Sequence, residues 1–149
     1  GGKALFEARE LSTVALERCA TARCAVETMG SLAEQYGFYG ADWTSGGEMS
    51  MGEGGEALTV ADPNEAWMFH VIADDTGASA VWVAQRLKDD HVAVVANQFV
   101  IREVDPDSPN FLYSSNLWNV SDRLDYTKLG PNGHLDFLAT YAPQRIHSS

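Results

Sequence analysis

Basic residues are scarce in this sequence, which has 10 lysines and arginines against 21 aspartates and glutamates and a formal net charge of −11. A surface this acidic repels phosphate backbones, so nucleic-acid binding is not expected. The same charge disfavours docking on an anionic membrane. Long apolar runs are lacking as well, and no transmembrane helix is predicted. Membranes and nucleic acids are therefore not expected partners.

Cysteine is also rare, with only Cys19 and Cys24. On one continuous helix, residues five apart lie about 140° apart around the axis, which does not favour a bond between them. Their spacing is not that of a Cys-x-x-Cys motif either. We therefore expect two reduced thiols used in packing, which would fit a reducing compartment such as the cytoplasm without assigning one.

The spacings of common metal and cofactor sites are missing. The four histidines are far apart and none has a cysteine beside it, so no metal is expected. A phosphate-binding loop, a dinucleotide fingerprint and a Gly-x-Ser-x-Gly elbow are also absent, and no cofactor is expected. His70 falls within an alternating stretch and is interpreted as a core side chain of a strand.

The first part of the chain has the period of helices. From 4 to 36, apolar residues recur at steps of three and four. Thr21 is suited to cap a second helix, which predicts a break near Ala20. Gly37 is suited to end that helix.

After a glycine-rich connector over 37–55, the period changes to two. Short turns separate four predicted strands, which indicates an antiparallel meander over 56–99 whose last strand is HVAVVANQF. Its apolar run is typical of a strand covered on both faces. The remainder, 100–149, is predicted to be irregular with short helices. The whole chain, 1–149, is thus expected to be one α+β domain or a fragment of one.

One polar residue, Asn97, stands at the end of the predicted fourth strand. A buried amide without a partner costs about 1–3 kcal/mol, so its side chain needs a hydrogen bond. One interpretation is that Asn97 bonds to local backbone and caps the sheet. The other is that its N–H points into a site and stabilises a developing oxyanion.

Several stretches resemble the N-terminal-nucleophile cysteine dipeptidases, whose relatives include the secernins. They are ALERCATARCAVETMGSLAEQYGFYG, GEGGEALTVADPNEAWMFHV, DDTGASAVWVAQRLKDDHVAVVANQFVIRE and FLYSSN. The resemblance extends from about residue 9 to 117. It implies an αββα sandwich, hydrolysis of dipeptides, and a cysteine nucleophile whose own α-amine acts as the base. It also places Asn97 in the oxyanion site.

The resemblance implies a nucleophile that this sequence does not supply. Cys19 and Cys24 fall in the helical segment, so we expect the nucleophilic cysteine to precede the segment in hand. The expected partners are a dipeptide substrate and either the remainder of such an enzyme or a further copy of the chain. We expect this chain alone to be inactive.

Two other hypotheses remain open at this point. The chain could be a non-catalytic, secernin-like protein that acts through protein contacts. Alternatively, it could be a free-standing α+β binding domain in which the loop GADWTSGGEMSMGEGG holds a ligand.

Overall fold

The computed structural model describes residues 4–40, 54–95 and 98–142. Within these ranges the chain forms helices and antiparallel strands, which confirms the α+β class. No helix there has the length and apolar character needed to cross a bilayer. Most of the glycine-rich connector (41–53) lies outside the described residues, and so does Asn97.

Two helices open the fold, α1 (Ala8–Arg18) and α2 (Ala22–Tyr36). The predicted break between them is confirmed. Thr21 caps α2, since its hydroxyl accepts the backbone N–H of Cys24 at 3.2 Å. Gly37 ends α2 with φ of 81°, a conformation that favours glycine.

The rest of the described chain consists of short strands and two further helices. The strands are β1 (Gly55–Ala61), β2 (Ala66–Ala73), β3 (Ala80–Arg86), β4 (Glu103–Val104), β5 (Phe111–Tyr113) and β6 (Leu135–Asp136), and the helices are α3 (Leu117–Arg123) and α4 (Phe137–Tyr141). One antiparallel sheet has the order β1-β2-β3-β5, and β4 pairs with β6 in a second, two-stranded sheet.

The helices α1 and α2 cover one face of the four-stranded sheet. Alternate residues of the central strands, among them Trp67, Phe69 and Trp82, form a first core with these helices. Gly30 allows α2 to lie close to the Trp82 ring of β3, because a Cβ at Gly30 would be 2.3 Å from Cε2 of Trp82. The Trp82 indole in turn donates to Glu34 of α2 at 3.3 Å.

The opposite face of the sheet is covered by the chain that follows residue 98. This second core is formed by strand residues Met68, Val81 and Val83 with Phe99, Ile101, Val104, Leu117, Val120, Leu135, Phe137 and Tyr141. The central strands are therefore buried on both faces, as predicted. Helices on one side and a second layer on the other are compatible with part of the expected sandwich.

The fourth strand, however, does not lie at HVAVVANQF, where the sequence pattern predicts it. Neither 91–95 nor 98–99 forms a strand. Val92 and Val94 are 91% and 76% exposed, whereas Ala93 and Val95 pack against the second core. Burial therefore alternates over residues 92–95 as it does in a strand. Among the described residues, however, no strand pairs with them.

The place beside β3 belongs to β5 instead. Its three residues pair antiparallel to β3, with Phe111 opposite Gln85 and Tyr113 opposite Val83. The helix α3 begins at Leu117, after β5. The expected short helices after residue 100 are α3 and α4, and they alternate with short strands.

Candidate active site

The segment that follows Asn97 is packed against the second core, although Asn97 itself lies outside the described residues. Phe99 and Ile101 are buried in the second core, while Gln98 is exposed. The placement of Asn97 in an oxyanion site therefore stays a prediction. The groups that hold the segment after it can be described in full.

His70 of β2 holds this segment from the sheet side. Its Nε2 atom lies 3.1 Å from the backbone nitrogen of Val100 and 3.3 Å from that of Ile101. Both N–H groups donate to this one nitrogen, which must therefore carry a lone pair. The ring is then neutral, with its proton on Nδ1, an atom without a well-formed hydrogen bond among the described residues.

The surroundings of His70 favour this neutral form. The side chain is fully buried. Burial lowers the pKa of His70 to about 4, and the carbonyl of Phe69, which attracts the ring proton, opposes that shift. At neutral pH His70 is thus a permanent acceptor for two backbone groups.

Aromatic contacts fix the His70 ring and the start of the segment together. The ring stacks on Phe99, with centroids 4.8 Å apart, and lies 6.2 Å from the ring of Phe137. Gly55 of β1 provides the seat for Phe99, because a Cβ at Gly55 would be 2.5 Å from Cζ of that ring. Polar and apolar contacts therefore act on the same three residues, 99–101.

The other edge of the segment is held by the C-terminal part of the fold. The carbonyls of Ile101 and Arg102 accept the backbone N–H groups of Leu138 and Phe137, at 3.0 and 2.9 Å. Both the Nε and Nη2 atoms of Arg102 lie 2.7 Å from Oδ2 of the buried Asp136. The segment is thus held both by His70 of the sheet and by residues 136–138.

Comparison with known families identifies the family of this chain. The model of peptidase family C69, the dipeptidase A family of N-terminal-nucleophile cysteine peptidases, matches residues 3–149. The chain belongs to peptidase family C69. A search of curated proteins finds no match. The resemblance read from the sequence is confirmed, and a peptidase family is established for this chain.

The two cysteines of this C69 chain are joined to each other, contrary to the prediction from their spacing. Cys19 and Cys24 form a disulfide, with Cα atoms 5.5 Å apart. The prediction of reduced thiols is wrong in the structure, because Cys19 lies in the break between α1 and α2 with an extended backbone. The angle calculated for a continuous helix does not apply there. As disulfide sulfurs, neither atom is a thiolate nucleophile.

The remaining described histidines lie apart from the segment after Asn97. His91 is exposed, and its Nδ1 lies 2.6 Å from the carboxylate of Asp90. This contact lowers the pKa of Asp90. His134 lines an open groove of about 500 Å³ together with Tyr113 and Trp118. No group of three or more His, Cys, Asp or Glu side chains in the described ranges could hold a metal.

The contact between His70 and the segment after Asn97 cannot be read from the sequence of this C69 chain. The sequence pattern predicts only a core side chain at His70, which is correct for its burial. A usable signal was present, since His70 is the one ionisable residue within the apolar strand β2. A polar group in that place needs a partner, but the pattern does not show that the partner is the backbone thirty residues later.

Proposed function

We propose that this chain forms the oxyanion side of a dipeptidase active site, with Asn97 as the donor. The observation that carries the proposal is the C69 family match, which extends over residues 3–149 and includes Asn97. The tightly held segment at 99–101 supports it, because an oxyanion donor acts only when it is preorganised.

The nucleophile in this proposal is a cysteine that is not in the sequence in hand. The disulfide between Cys19 and Cys24 supports this, since neither sulfur is free to attack a carbonyl. The exposed valines at 92 and 94, directly before Asn97, offer an apolar strip to the rest of such an enzyme. On this proposal the chain has no activity by itself.

The reaction is the hydrolysis of a dipeptide amide bond. The α-amine of the nucleophilic cysteine takes the thiol proton, and the sulfur attacks the scissile carbonyl. The Asn97 side-chain N–H donates to the oxygen that becomes negative in the tetrahedral intermediate. Collapse of the intermediate breaks the C–N bond, and the second amino acid leaves as its free amine with the proton that the α-amine had taken. Water then hydrolyses the remaining thioester, which releases the first amino acid and restores the thiol.

The test is the substitution Asn97→Ala in the native full-length protein, assayed on a panel of dipeptides. Loss of one oxyanion donor should lower kcat by about 10²–10³-fold. The neighbouring amide provides a matched control, because Gln98 is exposed and Gln98→Ala should leave kcat within about threefold. Asn64→Ala, in an exposed turn, is a second control.

Each outcome of this assay separates two hypotheses. Unchanged kcat in Asn97→Ala would remove the oxyanion role while leaving the dipeptidase activity. If the native protein hydrolyses no dipeptide at all, the non-catalytic, secernin-like alternative is favoured instead.

A further inference from the structure

The N–H groups of Val100 and Ile101 donate to a side chain and not to a neighbouring strand. Consecutive N–H groups of a regular strand point to opposite edges, whereas both of these reach the Nε2 atom of His70, at 3.1 and 3.3 Å. The carbonyls of Ile101 and Arg102 accept the N–H groups of Leu138 and Phe137. One imidazole thus accepts two consecutive backbone donors shortly after Asn97 in the chain.

From this arrangement we propose that His70 is a positioning residue for Asn97, which it serves by holding the backbone at Val100 and Ile101. The inference rests on the proposed function of Asn97. It adds a residue that touches no substrate and acts through the peptide chain. Misplacement of a reacting or stabilising group by about 1 Å costs about 100-fold in rate, so a small backbone shift at this point is sufficient.

Three features make His70 suited to this role. It is fully buried, so water does not compete for the two N–H groups. It projects from β2, which has a neighbour on each side, since Ala57 of β1 and Val83 of β3 flank it in register. Its ring stacks on Phe99 with an angle of 29° between the planes, which limits rotation.

If His70 acts as a hydrogen-bond acceptor, two substitutions at this position should differ in activity. His70→Phe keeps an aromatic ring for the stack but removes the acceptor. His70→Gln loses the ring but retains a side-chain carbonyl, an acceptor for backbone N–H groups. If positioning depends on the acceptor, Gln should recover activity that Phe does not.

The experiment measures kcat and KM for dipeptide hydrolysis in the native full-length protein carrying each variant. We expect His70→Phe to lower kcat about 10–100-fold with KM changed less than threefold, and His70→Gln to recover most of that loss. His91→Phe is the control, because the His91 side chain is exposed and contacts the carboxylate of Asp90. Hydrogen exchange at Val100 and Ile101 should accelerate in His70→Phe only.

The double variant Asn97→Ala/His70→Phe separates positioning from a general structural effect. If His70 acts through Asn97, the second substitution should add less than twofold to the loss caused by Asn97→Ala. Losses that multiply would overturn the inference, as would unchanged kcat in His70→Phe with faster exchange at 100–101.

The proposed function and this inference fail in different ways. If Asn97→Ala keeps the full kcat, both the oxyanion role of Asn97 and the inference about His70 are wrong. If kcat falls strongly in Asn97→Ala and not in His70→Phe, only the inference about His70 is wrong. If His70→Phe does not fold, His70→Leu, which also lacks an acceptor, takes its place alone and in combination with Asn97→Ala, and multiplied losses again count against the inference.

Discussion

Gly55 and Phe99 are packed so closely that the position of Gly55 has no room for a side chain. A Cβ there would lie 2.5 Å from Cζ of Phe99 and 2.9 Å from the carbonyl oxygen of Val71. We therefore expect Gly55→Ala to displace the Phe99 ring and to lower the free energy of unfolding by about 1–3 kcal/mol. Urea unfolding of the native protein measures this.

The adjacent glycine provides the control for that substitution. The nearest atom to a Cβ at Gly54 is Cδ1 of Ile72, at 3.9 Å, which is ordinary contact. Gly54→Ala should change the free energy of unfolding by less than about 0.5 kcal/mol. Equal effects of the two substitutions would mean that Phe99 does not sit against Gly55.

The helices and the first three strands could be predicted because their signals are local. Apolar spacing, the Thr21 cap and the Gly37 stop each act within a few residues. The fourth strand could not, because pairing depends on which segment reaches the free edge of β3. A three-residue strand beginning at Phe111 occupies that edge, and its length gives no readable period.

The errors about the site have similar causes. The angle of about 140° between Cys19 and Cys24 holds only on one continuous helix. The cap at Thr21 predicts a break between them, so the two local signals conflict. The partners of His70 lie thirty residues away along the chain. The family, by contrast, was recognisable from the sequence, because several stretches match in combination.

The buried, neutral His70 should make stability depend on pH in a defined window. Its pKa is about 4 in the folded protein and 6.5 in the unfolded chain. The contribution of His70 to the free energy of unfolding is therefore fully present above pH 6.5. It declines as the pH falls from 6.5 to 4, because the unfolded chain binds a proton that the folded protein does not. Below pH 4 both states bind the proton, and His70 causes no further decline. Between pH 7 and pH 5, urea unfolding should reveal a loss of about 2 kcal/mol.

The control for this pH dependence is His70→Phe, which has no proton to bind there. Its free energy of unfolding should change less between pH 7 and pH 5, whatever its absolute value. The carboxylates with lowered pKa values, Asp62, Asp75 and Asp90, lose their contribution only below their ordinary value of 3.8, outside the window. An unaltered slope in His70→Phe would show that another group titrates.

The bond between Cys19 and Cys24 predicts that the chain carries no free thiol at either position. When the unreduced protein is unfolded in denaturant and treated with iodoacetamide, Cys19 and Cys24 should both stay unmodified. After reduction, the same treatment should modify both cysteines. Reduction should also lower the free energy of unfolding by about 2 kcal/mol, as expected for a short loop closed across the junction of α1 and α2. The variant Cys19→Ser/Cys24→Ser is the control, since its unfolding should not respond to the reductant. Labelling of both cysteines without reduction would contradict the bond and would return Cys19 and Cys24 to the set of thiols available for chemistry.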